Sequence, residues 1–250
     1  MSQATRPEPD LLAIDVGNTR AKGGWFADGK LVRHEAWRTE DVVRIFASEV
    51  PPQVIASNVA GPHIGAQIME QCALNGVALH VIRSLPEQCG VVNGYRDPGQ
   101  LGTDRWAALV AARAVQEGPC LVVVAGTATT IDMLHPDGRF LGGLIVPGLS
   151  LMRQSLNRGT AQLPDIEGAI TPFPASTPEA IANGALQATL GAMDRMRAVL
   201  REAAGAEPRI LLSGGAGPVL QPHVEVECVV EWREHLVLEG LARISREAFR

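Results

Sequence analysis

Lysine is almost missing from this chain. Of its 22 basic residues only Lys22 and Lys30 are lysines, and 27 acidic residues leave a formal net charge of −5. No basic cluster occurs, and gripping a phosphate backbone needs concentrated positive charge, so no nucleic-acid partner is expected. Cysteine is sparse too. Cys72, Cys89, Cys120 and Cys228 are scattered, with no CxxC pair. They read as reduced thiols of a cytoplasmic protein. The six histidines never pair at i,i+4 or beside a candidate nucleophile, which leaves no histidine metal motif. No apolar run reaches the ~18 residues of a membrane helix, and Met1 to Asp10 lacks the apolar stretch of a signal peptide, so no membrane partner is expected. GxxxxGK[ST] is also absent, which excludes a P-loop.

What is present is a core. Apolar residues make up 46% of 250 positions, enough for one large domain or two lobes of ordinary size. Leu11 to Val16 reads as a buried strand. Arg20 to Phe26 is a second, and Asp28-Gly29 turns it into a third at Lys30 to Trp37. Thr39 reads as the N-cap of a helix to about Glu49. A strand at Val54 to Val59, a helix from His63 to Leu74 and a strand at Ala78 to Ile82 follow. This alternation marks an α/β fold.

The second half repeats the first. Cys120 to Ala125 is an apolar run ending at Gly126, with strands to about Leu134 and at Arg139 to Val146. Gly17 precedes Gly29 by twelve residues, and Gly126 precedes Gly138 by twelve. Asp28-Gly29-Lys30 and Asp137-Gly138-Arg139 fall at the same offset. A match of type, order and spacing predicts two homologous lobes, residues 1–117 and 118–250. A long helix is expected over Thr177 to Ala204 with Thr177 as its cap, then a strand at Arg209 to Ser213 and a closing helix from Arg233 to Phe249.

Two stretches carry chemistry. In "IDVGNTRAK" a buried strand ends on Asp15 and turns at Gly17. Freed backbone N–H groups there, with Asn18 and Thr19 beside them, form a phosphate cradle, and Asp15 suits Mg²⁺. An ordinary β-turn acid is the competing reading. In "GYRDPGQLGTDRW" an acid, Asp104, stands beside Arg105 in the first turn of a helix capped by Thr103. That suits a base taking a hydroxyl proton, with Arg105 holding an anionic substrate group; simple helix capping is the alternative.

"IDVGNTR", "GYRDPGQLGTDR", "GTATTID" with "GGLIVPG", and "SGGAG", in that order, resemble a type III pantothenate kinase over nearly the whole chain. The Gly-Tyr and Leu-Gly-x-Asp-Arg motif is specific to that family. The glycine turns are shared with the wider actin, hexokinase and acetate-kinase-like superfamily. The resemblance implies two duplicated actin-like (ribonuclease H-like) α/β lobes around a nucleotide cleft. It implies ATP-dependent phosphorylation of pantothenate to 4'-phosphopantothenate, the first step of coenzyme A biosynthesis, by a cytoplasmic homodimer.

Carried over by residue, the ATP-phosphate segment falls on Asp15, Val16, Gly17, Asn18, Thr19, Arg20, Ala21 and Lys22, with Asp15 holding Mg²⁺. The second-lobe nucleotide contact falls on Thr127 and the catalytic base on Asp104. Pantothenate contacts fall on Tyr95, Gly102, Thr103, Asp104, Arg105 and Thr177, and "SGGAG" fits an adenine-side turn. Many family members bind a monovalent cation, potassium or ammonium, through an acid two residues before the second-lobe glycine. Here that residue is Val124, and Asp132 lies eight residues on, so cation dependence is expected to be weakened. Two other readings stay open. One is a non-catalytic transcription accessory factor on the same fold, disfavoured because Asp15, Asp104 and Arg105 are all present. The other is a kinase of a different small hydroxylated substrate.

Overall fold

The computed structural model describes residues 8–48, 50–160, 167–224 and 229–249, which places Glu49 and Cys228 outside the described residues. The chain divides into two compact units. One is made of residues up to 115 together with the segment from 236 onward, the other of residues 116–235.

In the first unit, strands β1 (Leu11–Val16), β2 (Arg20–Ala27), β3 (Lys30–Arg38), β4 (Gln53–Asn58) and β5 (Ala78–Val81) form a sheet in the order β3-β2-β1-β4-β5. Strand β2 pairs antiparallel with both β1 and β3, while β4 and β5 run parallel to β1. Period-two alternation decides which residues each face receives. Leu12, Ile14 and Val16 enter a core with Val54, Ala56, Trp25 and Ile45. Ile64, Ile68 and Cys72 of helix α1 (Pro62–Asn75) complete that core. Leu11, Ala13 and Asp15 have the opposite parity, and Asp15 is therefore committed to the other face. The short hairpin β6 (Glu87–Gln88) and β7 (Val91–Asn93) leads into helix α2 (Thr103–Val115).

The second unit repeats the plan. Strands β8 (Cys120–Ala125), β9 (Ala128–Leu134) and β10 (Arg139–Pro147) precede helices α3 (Leu149–Gly159) and α4 (Thr177–Ala204). Strand β11 (Arg209–Ser213), the short helix α5 (Gly217–Leu220) and β12 (Val230–Trp232) follow. The strand order β10-β9-β8-β11-β12 matches that of the first unit, as do the antiparallel and parallel senses. Leu121, Val123 and Ala125 face a core with Leu186, Leu190 and Met193 of α4. Strands β1 and β8 have the same length and the same burial pattern, with Asp15 and Val124 as the half-buried fifth residue of each. The duplication read from the glycine spacing is thus a duplication of topology and register.

Helix α6 (Leu236–Ala248) closes the first unit, not the second where the sequence reading placed it. It packs on α2 and on β1. A side chain at Gly240 would strike the Ala107 carbonyl at 1.8 Å, so glycine there lets the two helices touch backbone to backbone. Ala107, Ala108, Ala111 and Ala112 keep α2 slim enough for the same contact.

Three local expectations are corrected. The segment Thr39–Ala47 is a 3-10 helix kinked at Asp41, because the Thr39 hydroxyl donates to the Gly17 carbonyl instead of capping its own turn. Helix α2 starts at Thr103, one residue early, with the Gly102 carbonyl accepting from the Trp106 N–H. The cap of α4 is Ser176, whose hydroxyl accepts from the Glu179 N–H, and Thr177 is the first helical residue.

Candidate active site

Asp15 ends β1 on the face covered by α2 and α6. Its Oδ1 is buried and accepts no hydrogen bond from the protein. Burial first, and then the negative charge of Asp104, raise its carboxyl from an ordinary 3.8 to about 7; Lys22 pulls the other way. Lys22 is the ladder partner of Asp15 across the β1–β2 hairpin, so the two side chains share a face. Two acids separated by almost ninety residues of sequence therefore feel each other's charge.

The turn after Asp15 is tied from three sides. The Gly17 N–H donates to the Arg20 carbonyl, and Val59 N–H to the Val16 carbonyl. Thr39 grips it twice, through its hydroxyl to the Gly17 carbonyl at 2.6 Å and its N–H to the Thr19 carbonyl at 3.3 Å. Asn18, Thr19 and Arg20 are exposed at this turn, while Val16 and Ala21 are core residues. The turn is an exposed polar rim on a fixed frame.

Asp104 stands in the first turn of α2, with its Oδ1 accepting from the Arg105 N–H at 2.8 Å. A side chain at Gly102 would come within 2.6 Å of that oxygen, so only glycine leaves the carboxylate where it is. Thr103 is linked to Ser57 of β4 through their hydroxyls at 2.8 Å. Arg105 is buried. Its guanidinium donates to the Tyr95 hydroxyl at 2.9 Å and lies 5.6 Å from the centre of that ring. The loop bearing Tyr95 is pinned by Asn93, which accepts from the Tyr95 N–H and donates to the Leu85 and Pro98 carbonyls. Ser84 bonds the Leu101 carbonyl.

In the second unit, Thr127 is exposed in the turn between β8 and β9. Backbone bonds knit that turn to two neighbours. Gly148 N–H donates to the Thr127 carbonyl, and Ala216 N–H, from the Ser213–Gly217 loop, donates to the Ala125 carbonyl. Asp132 is buried and pairs with Val122 in the ladder, while Val124 pairs with Thr130. Thr177 is exposed at the start of α4.

Of the residues singled out from sequence, the structure gathers Asp15, Lys22 and Asp104 into one electrostatic group, and Tyr95 with Arg105 into one pair. Thr39, Ser57, Asn93 and Ser84 were not picked out as site residues. Their one legible signal is a small polar side chain inside or beside an apolar run, which is weak without a partner in view.

A duplicated β-β-β-α-β-α-β unit with a glycine turn after its first strand is the fold of the actin-like ATPases and sugar kinases. The polyphosphate/ATP-glucomannokinase of an Arthrobacter strain has this fold, at TM-score 0.51 and 18% identity over 96% of this chain and 99% of its own. A Campylobacter jejuni protein described as a Baf family transcriptional activator superposes at TM-score 0.63, with 21% identity over 95% and 98% of the two chains, which shows the fold alone. Residues 11–199 match the family model of type III pantothenate kinase. The Aromatoleum aromaticum type III pantothenate kinase is 43% identical over 243 residues, 95% of this chain and 98% of its own. The chain belongs to the type III pantothenate kinase family.

Proposed function

We propose that this kinase transfers the γ-phosphoryl group of ATP to the primary hydroxyl of pantothenate, with Asp104 as the base. The observation that carries the reading is the convergence of Asp15 and Asp104. A phosphate-side acid and a substrate-side acid, from motifs far apart in sequence, interact electrostatically across one face of the first sheet. The hydroxyl proton passes to Asp104 as its oxygen attacks phosphorus and ADP leaves. Such a loose transition state needs positioning and charge neutralisation more than covalent help from the protein. The 15–22 segment takes the phosphates, with Lys22 adding positive charge. Thr127 of the second unit is proposed as a further nucleotide contact. Tyr95, Gly102, Thr103, Arg105 and Thr177 are proposed to contact pantothenate, Arg105 supplying the charge that suits its carboxylate.

Mg²⁺ fits this donor set, because a buried carboxylate oxygen without a protein partner is what a hard cation takes. Asp15 would hold it, and the ion would neutralise phosphate charge. A homodimer working in the cytoplasm completes the proposal. Among the described residues no helix is long and apolar enough to cross a membrane.

Asp104→Asn tests the assignment. The variant should fold and bind ATP and pantothenate as the wild type does, while kcat drops ~10²- to 10⁴-fold. Turnover within about threefold of wild type would remove Asp104 from the base role. ADP release measured over a panel of small alcohols checks the substrate.

A further inference from the structure

We propose that Ser57 is a positioning residue for Asp104, fixing the first turn of α2 against the strand beside the one that carries Asp15. The proposal rests on the reading of Asp104 as the base. Ser57 is fully buried in β4 and is the parallel register partner of Asp15, so both project from the same face of the sheet. The three residues before it in the strand, Val54, Ile55 and Ala56, are all core residues. A hydroxyl in such a row is unfavourable unless it is hydrogen-bonded, and alanine would fill the position with less penalty. The hydroxyl is used: it meets the Thr103 hydroxyl at 2.8 Å, one residue before Asp104.

The bonds inside the first turn of α2, Trp106 N–H to Gly102 and Arg105 N–H to the Asp104 carboxylate, keep the turn's shape. They do not say where the turn sits on the sheet. Packing on α6 and the Arg105–Tyr95 and Trp106–Gln88 bonds hold the body of the helix, and the Ser57–Thr103 bond ties its first residue to the strand adjacent to Asp15. A base displaced by a fraction of an ångström from its substrate proton loses rate without losing its ligands. Ser57 therefore acts through Thr103 on Asp104, at a distance of one residue, and touches no substrate itself.

Steady-state kinetics on Ser57→Ala, Thr103→Val and Thr103→Ser, with thermal unfolding of each, test this. Ser57→Ala should lower kcat about tenfold while KM for ATP and pantothenate stays within twofold. Thr103→Val should lower kcat by the same factor, with any rise in KM for pantothenate reporting Thr103's own substrate contact, and Thr103→Ser, which keeps the hydroxyl, should retain more kcat than Thr103→Val. The double variant Ser57→Ala/Thr103→Val should be no slower than either single one, because one bond is removed only once. Added to Asp104→Asn, Ser57→Ala should cost no further rate. If Ser57→Ala and Thr103→Val both fold and keep wild-type kcat while Asp104→Asn is inactive, Ser57 has no positioning role and the base assignment stands. If Asp104→Asn is itself active, the base assignment fails first. Should Ser57→Ala not fold, the half-buried Thr103 decides: equal rates for Thr103→Ser and Thr103→Val overturn the proposal.

Discussion

A carboxyl that must give up hydration to sit at the end of β1 works against the fold that holds it. Burial, and then the charge of Asp104, push the Asp15 carboxyl up to about 7. The sign follows from the two states. Between the unfolded value of 3.8 and the folded value of about 7, the folded chain keeps a proton that the unfolded chain has lost. The ligand-free protein therefore loses stability from this group as pH rises through that window. Below it the group is neutral in both states, and above it the penalty is constant. Asp15→Asn removes the charge without changing the shape. Its ligand-free melting temperature should exceed that of wild type by a margin that grows between about pH 4 and pH 7 and then levels off. Kinase activity should be lost in the same variant. Melting curves across pH check it, and a margin that is flat or shrinks as pH rises would contradict the burial penalty. The acid itself was legible in the sequence, since it stands alone in an apolar run. Its neighbour Asp104 was legible as an acid beside an arginine. That the two meet was not, because no local spacing links residue 15 to residue 104.

At the scale of elements, strands and helices were readable wherever periodicity and turn chemistry agreed. The strands Cys120–Ala125 and Arg209–Ser213 and the helix Thr177–Ala204 lie where the pattern put them. Two of the failures, at Thr39 and Thr103, share a cause: a small polar residue was given a local partner when its real partner lies elsewhere in the fold. Thr39 looked like a cap and is a tether, bonded to the turn at Gly17 and Thr19 from twenty residues away. Thr39→Val keeps the volume and removes the hydroxyl, leaving the Gly17 carbonyl without that donor. The expected cost is about 1 kcal/mol in denaturant unfolding. Because the loosened element is the phosphate turn, KM for ATP should rise several-fold while KM for pantothenate holds. A rise in both alike would mean that Thr39 supports the unit in general.

Over the whole molecule, the two units show one plan put to unequal use. Asp15 faces Ser57 in the first ladder, and Val124 faces Ser213 in the second. The duplicated register makes Val124 the counterpart of Asp15, with an aliphatic side chain where the first unit has an acid. A valine offers no oxygen to a cation. Activity in sodium or Tris should accordingly stay within a fewfold of that in potassium or ammonium, and Val124→Asp should bring out a potassium response. Rates across a chloride series at constant ionic strength measure both. Near-complete loss of wild-type activity without potassium or ammonium would show that this position does not report on cation need. The duplication was visible in the glycine spacing. The destination of the closing helix was not, because an amphipathic helix carries no sign of which sheet it will cover.

That destination orders events at the ribosome. Residues 116–235 form an uninterrupted stretch, whereas the other unit needs α6, synthesised after all of them. The 116–235 unit is therefore the first to have its full chain in hand, and the other waits with its α2 face bare until α6 has been made. A nascent chain stalled before residue 236 would leave α2 uncovered around Ala107, where Gly240 otherwise packs. That is the kind of surface chaperones hold and aggregates recruit.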